Sequence, residues 1–290
     1  MRKIQRITAA LLAAICLQAG VVTASAEGSA PIAENLELRT YRNVSVGGRL
    51  SAFDAEDDVV SYTITTEPVK GSIELEENGC FVYTPKENKR GRDYFGYKAV
   101  DSEGNLSQEA TVIIRIERQK KSVMYTDLEG MGCEYAAVLL AEEGIFTGEQ
   151  IGGSFCFQPD KSVTRGEFLS MCMLLKGNTP LPLAARSGYA DDDSIPAWVK
   201  GYCAAAQLAQ AAPRTDRLEA QKPITASEAA AWLDRALGLA GIRYLQPDDT
   251  HTQACLNLSA HGIPTNTGSQ DLTRAEAARM LAAALELINR

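Results

Sequence analysis

The chain has 290 residues, with 29 Lys and Arg against 37 Asp and Glu, a net charge of -8. This balance offers no basic field to nucleic acid or to an anionic lipid surface, so neither is expected as a partner. The length accommodates two modules, each able to bury a core.

Arg2, Lys3 and Arg6 precede an apolar run from Ala9 to Val22, and Ala24-Ser25-Ala26 supplies small residues suited to cleavage. The pattern predicts a secretory signal peptide over residues 1–26, too short and wrongly flanked for a membrane span. The mature chain is therefore expected outside the cell, with no membrane partner once the signal is cleaved. Cys16 leaves with the signal. Cys80, Cys133, Cys156, Cys172, Cys203 and Cys255 remain. They sit mostly in or beside apolar segments and read as buried thiols, with disulfides as the alternative that export allows.

From residue 27 to 118 the apolar period is two. Tyr62/Ile64, Ile73/Leu75, Phe81/Tyr83, Phe95/Tyr97 and Val112/Ile114/Ile116 each place alternate side chains on one strand face. Pro68-Val69-Lys70-Gly71, Glu77-Asn78-Gly79 and the stretches 88–91 and 101–105 supply turn chemistry between them. Short strands so spaced predict a small all-β sandwich. Leu50-Ser51-Ala52-Phe53-Asp54, Gly79-Cys80-Phe81-Val82-Tyr83-Thr84-Pro85 and Gly91 to Asp101 resemble cadherin-like or immunoglobulin-like repeats of bacterial surface proteins. The resemblance implies a spacer or contact module whose partners would be other surface proteins.

Asp54, Glu56, Asp57 and Asp58, with Asp101 near another turn, offer the hard oxygen atoms that calcium takes. Without a twelve-residue calcium loop, the preferred expectation is a solvated acidic loop and no cofactor.

After a linker at 119–124 the period becomes helical. Thr164 and Glu167, Thr225 and Glu228, and Thr273 and Glu276 each stand three apart before an apolar run. In such a capping box the hydroxyl accepts a first-turn N–H and the carboxylate reaches back to the cap N–H. Three boxes define three repeats, at about 125–178, 189–240 and 244–290. Each is expected to pair a first helix with a capped second one, and all three to pack on one another. Pro196 suits the first turn of the helix carrying Trp198, Val199 and Tyr202.

Tyr125-x-Asp127, Gly144-Ile145-x-Thr147-Gly148, Phe157-x-Pro159-Asp160-x-Ser162-Val163-Thr164-Arg165-Gly166-Glu167-Phe168, Tyr189-x-Asp191, Pro196-Ala197-Trp198 and Leu272-Thr273-Arg274-Ala275-Glu276 resemble three tandem S-layer homology repeats. The resemblance implies a multidomain protein in which an all-α, pseudo-threefold repeat domain follows the sandwich. It also implies grooves between repeats that bind secondary cell-wall polysaccharide, often through a pyruvylated terminal sugar. The protein would then sit at the cell wall or S-layer of a Gram-positive-type bacterium. Arg165 and Arg274, directly after the cap Thr, are the expected glycan-binding residues. There, unpaired N–H groups and the helix dipole would also favour an anion. Ala226 stands where the second repeat would carry this Arg. Trp198 is expected either to stack on a sugar or to fill the core. Tyr125, Asp127, Tyr189 and Asp191 are expected to fix the start of each first helix.

No nucleophile elbow, zinc-binding His pair or phosphate loop occurs, so no enzyme activity is expected. The alternative to a wall anchor is a secreted structural or protein-binding module.

Overall fold

The computed structural model describes residues 28–182, 184–239, 250–266 and 268–289. The signal segment, Thr267 and the opening of the third repeat at 244–249 lie outside the described residues. Alternation builds the first half from β1 (Ile32–Ala33), β2 (Leu36–Tyr41), β3 (Val46–Arg49), β4 (Ala52–Phe53), β5 (Val59–Thr66), β6 (Gly71–Leu75), β7 (Cys80–Pro85), β8 (Gly91–Asp101) and β9 (Ala110–Glu117). One sheet has the order β2-β9-β8-β5 and the other β3-β7-β6, while β1 and β4 form a two-stranded ribbon. The β2–β9 pair is parallel, with Leu36 opposite Val112. The inward residues of both sheets share one core of Val46, Leu50, Phe81, Tyr83, Phe95, Tyr97, Val112 and Ile114. Phe81 meets Phe95 edge-on at 5.2 Å. Enclosing each such side chain stabilises the fold by ~1.5–3 kcal/mol.

The second half holds α1 (Glu134–Glu142), β10 (Glu149–Ile151), β11 (Ser154–Cys156), α2 (Arg165–Leu175), α3 (Ala197–Leu208), α4 (Ala226–Leu237), α5 (Thr250–Ala260) and α6 (Arg274–Ile288). The expectation of an all-α second half is thereby corrected. Gly152 and Gly153, both at positive φ, turn the chain between β10 and β11 into an antiparallel hairpin, with Gln150 opposite Phe155. Isolated bridges also join Ser162 to Thr273, Thr164 to Pro223 and Thr225 to Asp271. Extended backbone thus links the helices, and the chain is mixed in content. Pro196 is the N-cap of α3 rather than part of its first turn, and the first helix of the third repeat, α5, is described from Thr250.

Helix packing is cyclic. The second helix of each repeat packs on the first helix of the next: α2 on α3, α4 on α5, and α6 back on α1. The linker is fastened to the end of α1. The Lys121 N–H donates to Glu142 Oε1 at 2.8 Å, and Lys120 pairs with Glu143. The two halves also meet directly. The Ser45 N–H donates to Glu134 Oε2, the Tyr135 N–H to the Ser45 carbonyl, and the Gly47 N–H to the Gly132 carbonyl. Tyr41 packs on Tyr135 at 5.3 Å and joins the apolar core of the helical half. No described helix is long and apolar enough to cross a membrane.

Candidate functional site

At the centre of the repeats lies a closed ring of three backbone hydrogen bonds. Val163 N donates to the Leu272 carbonyl (2.9 Å), Leu272 N to Ile224 (2.8 Å), and Ile224 N to Val163 (2.9 Å). Each of the three residues precedes a cap Thr, so the ring brings the three capping boxes together. In every box the Thr hydroxyl accepts the N–H of the Glu three residues on, and that Glu accepts the cap N–H.

This arrangement uses up the helix-start donors that an anion was expected to find. Arg165 N donates to Lys222 O and Gly166 N to Ala220 O. Ala226 N reaches Gln270 O, Arg274 N reaches Lys161 O, and Ala275 N reaches Pro159 O. Each second helix is thus met at its start by a loop of the following repeat, which takes up these N–H groups.

The two arginines meet different fates. Both are buried, at 5% and 4% exposure. Arg274 turns into repeat one, where its Nε donates to Phe157 O (2.6 Å) and its Nη2 to Thr147 O (2.7 Å). The rings of Phe146 and Phe157 lie 4.3 and 4.8 Å from its guanidinium. Arg165 turns into repeat two, against the face of Trp232 at 5.2 Å, with its Nη1 on Glu228 Oε1 at 3.0 Å and Glu219 at 3.7 Å. Its Nε is buried without an acceptor. Glu228 therefore caps α4 with one oxygen and holds Arg165 with the other. Ala226, at the equivalent place, is fully buried and brings no charge to the joint between repeats two and three.

Trp198 is 52% exposed at the start of α3, edge-on to Tyr202. Asp127 and Asp191 act farther along the chain than the sequence suggested. The carboxylate of Asp127 accepts the Phe157 and Gln158 N–H groups, and that of Asp191 accepts those of Leu218 and Glu219. Gln158 and Glu219 both adopt positive φ, so each Asp holds an equivalent strained turn ahead of a capped helix. The Tyr125 hydroxyl accepts from Gly148 N–H, and the Tyr189 hydroxyl donates to Pro213 O. Neither Asp role was visible locally, because the partners lie about thirty residues away; the matched Tyr-x-Asp pairs were the only signal.

The acidic residues of the sandwich separate into two groups. Glu56 and Asp57 are exposed. Asp54, Asp58 and Asp101 converge, with one oxygen of each within 4.8 Å of the others. Asp54 Oδ1 accepts the Glu56 N–H, whereas its buried Oδ2 has no hydrogen-bond partner. Burial pushes the Asp54 carboxyl above its usual range. Burial also opposes ionisation of Asp101, yet bonds from Asn105 and from the Glu103 N–H hold it below that range.

Residues 24–118 match the bacterial cadherin-like domain family. This match is consistent with an extracellular or surface protein. No curated protein matches the chain. Among solved structures, the SrpA adhesin of Streptococcus sanguinis is 15% identical, over 36% of this chain and 64% of that one, with a TM-score of 0.28. Its R347E mutant is 17% identical over 34% and 63%, with a TM-score of 0.27. A putative alpha-galactosidase from Bacteroides fragilis is 14% identical over 31% and 18%, with a TM-score of 0.25. The chain thus spans less than two thirds of the adhesin structures, and none of these likenesses bears on activity or ligand.

Proposed function

We propose that the protein is a secreted, non-catalytic cell-surface protein. Its repeat half, similar to S-layer homology repeats, holds secondary cell-wall polysaccharide, and its sandwich is displayed to other surface proteins. The observation that carries this reading is Arg165 Nε, a buried donor without an acceptor at the joint of two repeats. Leaving such a group unpaired costs roughly 1–3 kcal/mol, and a ligand oxygen would offset that. A guanidinium binds carboxylate in bidentate fashion, which suits a pyruvylated sugar. Glu219, whose side chain is 46% exposed, is the weaker partner that such an anion would displace. The exposed indole of Trp198 adds a surface on which a sugar face can stack. Arg274 spends its Nε and Nη2 on carbonyls and Ala226 is neutral, so the reading rests on one groove, between repeats one and two.

The inward turn of Arg274 favours a second reading, in which the repeats are a structural or protein-binding platform. Sedimentation of the full chain with cell-wall sacculi separates the two. The anchor reading expects pelleting with intact sacculi and none with sacculi stripped of their secondary polymer. It also expects Arg165→Lys to bind about tenfold more weakly, or ~1.4 kcal/mol, with its circular dichroism unchanged. A folded wild-type chain that stays in solution, or pellets equally with stripped sacculi, removes the anchor reading.

A further inference from the structure

Two rows of side chains cross the outer face of the four-stranded sheet. Val112, Ile114 and Ile116 of β9 enter the sandwich core, so Ile113 and Arg115 between them stand on the opposite face. The register carries that face onto the neighbouring strands. Arg115 lies opposite Arg39 of β2 on one side and Arg92 of β8 on the other. In the next row Ile113 lies between Glu37 and Tyr94. Three arginines therefore stand abreast on adjacent strands, which are spaced about 4.8 Å apart, with an apolar pair beside them.

We propose that this face docks an acidic, extended segment of another surface protein. Like charges directly opposite one another destabilise a sheet, so the row of arginines works against the fold. Glu37 pairs with Arg115. Arg39 and Arg92 are exposed, and among the described residues neither forms an ion pair or a side-chain hydrogen bond. Protection of a sheet edge against aggregation does not account for the row, because Arg92 and Arg115 belong to β8 and β9, the two inner strands. Solvation does not account for Tyr94 and Ile113 either. They are 57% and 37% exposed on those same inner strands, where the water-facing side of a sheet is ordinarily polar.

Tyr and Arg are the residues that carry binding energy at protein interfaces, whereas Lys is depleted there. The row is cationic although the whole chain has a net charge of -8, so its complement bears carboxylates, which guanidinium forks take in bidentate fashion. The branched aliphatic side chain of Ile113 calls for an apolar group between those carboxylates. An extended peptide supplies one, and a carboxylated glycan does not. The inference rests on the reading of the sandwich as displayed to other surface proteins, and it assigns the face and the chemistry of that contact.

The probe is a short fluorescein-labelled peptide of alternating Glu and Val, titrated with the full chain and followed by anisotropy. Saturable binding is expected, weakening at least tenfold from about 0.1 to 1 M salt as the screening length falls from about 10 to 3 Å. Arg92→Glu and Tyr94→Ala, each checked for unchanged circular dichroism, should each weaken it about tenfold. Failure to saturate at millimolar chain, or undiminished binding by both variants, overturns the proposal. So does equal binding of a peptide of alternating Lys and Val, which would make the contact purely apolar. Displacement of the peptide by polygalacturonate at equal carboxylate concentration overturns the choice of a protein segment in favour of a glycan. Sedimentation with sacculi reads the repeats, so it can fail while this binding stands, and the reverse.

Discussion

Arg274 donates from Nε to the carbonyl of Phe157 at 2.6 Å while its guanidinium lies 4.8 Å from the ring of the same residue. Phe157 thus supplies an acceptor and an apolar wall, and Thr147 with Phe146 supply another of each. The planar fork of Arg fits this cage, and the single ammonium of Lys does not. Arg274→Lys should therefore lose about 2–4 kcal/mol of unfolding free energy, since a buried charge keeps its desolvation cost and loses its partners. Urea unfolding of the full chain measures this. A loss below about 0.5 kcal/mol, the range of ordinary surface changes, would mean that Arg274 does not hold repeats three and one together.

Asp191 should control the acid stability of the second repeat. Burial opposes its ionisation, but the Glu219 and Leu218 N–H groups outweigh it and hold the carboxyl below its ordinary 3.8. A depressed folded value contributes stability above the unfolded value, and the contribution is lost as pH falls through the folded one. Asp191→Asn keeps one acceptor and sets an amide N–H₂ against a backbone donor. It should cost about 1–3 kcal/mol at pH 7 and flatten the fall in stability below about pH 4. Urea midpoints at pH 7 and at lower pH check both parts, and an unchanged acid slope would contradict them.

The legible features were those written locally. Thr164-x-x-Glu167 and its two copies specify their boxes within four residues, and the alternation of Val112, Ile114 and Ile116 specifies a strand face within five. What escaped depends on distant chain. Arg274 reads as a glycan-binding first-turn residue until Thr147 and Phe157, more than a hundred residues earlier, close over it. Free N–H groups at the helix starts were a sound local inference, defeated because loops of neighbouring repeats fill them. The β10–β11 hairpin escaped because three-residue strands such as Glu149–Ile151 carry too little alternation to outweigh the surrounding helical period. Among the acidic candidates, spacing could not separate Asp58 from Asp57. The positive φ of Asp57 and the Val59–Asp101 register decide which carboxylates converge.

The thiols should divide by burial. Burial raises Cys133, raises Cys172 strongly and pushes Cys203 up to about 12, and Cys255 is also buried. Cys80 and Cys156 are half-buried, and no disulfide joins the described cysteines. Because the thiolate is the reactive form, a thiol reagent at pH 8 should modify Cys80 and Cys156 quickly in the native protein. The other four should react only as the protein unfolds, and mass mapping of the labelled peptides identifies the sites. Rapid native labelling of Cys172 would contradict the packing of α2.

Gly47 and Gly132 set how closely the sandwich approaches the repeats. A Cβ on Gly47 would lie 2.9 Å from the Gly132 carbonyl oxygen and 3.0 Å from its Cα, so backbone would have to move. Beside this contact, Ser45 exchanges hydrogen bonds with the Glu134 carboxylate and the Tyr135 N–H, and Tyr41 packs on Tyr135. The Tyr135 hydroxyl donates in turn to Glu286 on α6. The sandwich therefore touches the first helix and, through one side chain, the last, at the place where the ring of repeats closes. The wild-type chain should unfold in a single calorimetric transition. Gly47→Ala should cost about 1–3 kcal/mol as an overpacked contact, and Gly47→Val should split the transition into two by driving the halves apart. Two resolved transitions in the wild type would show instead that the halves fold independently and that this contact does not couple them.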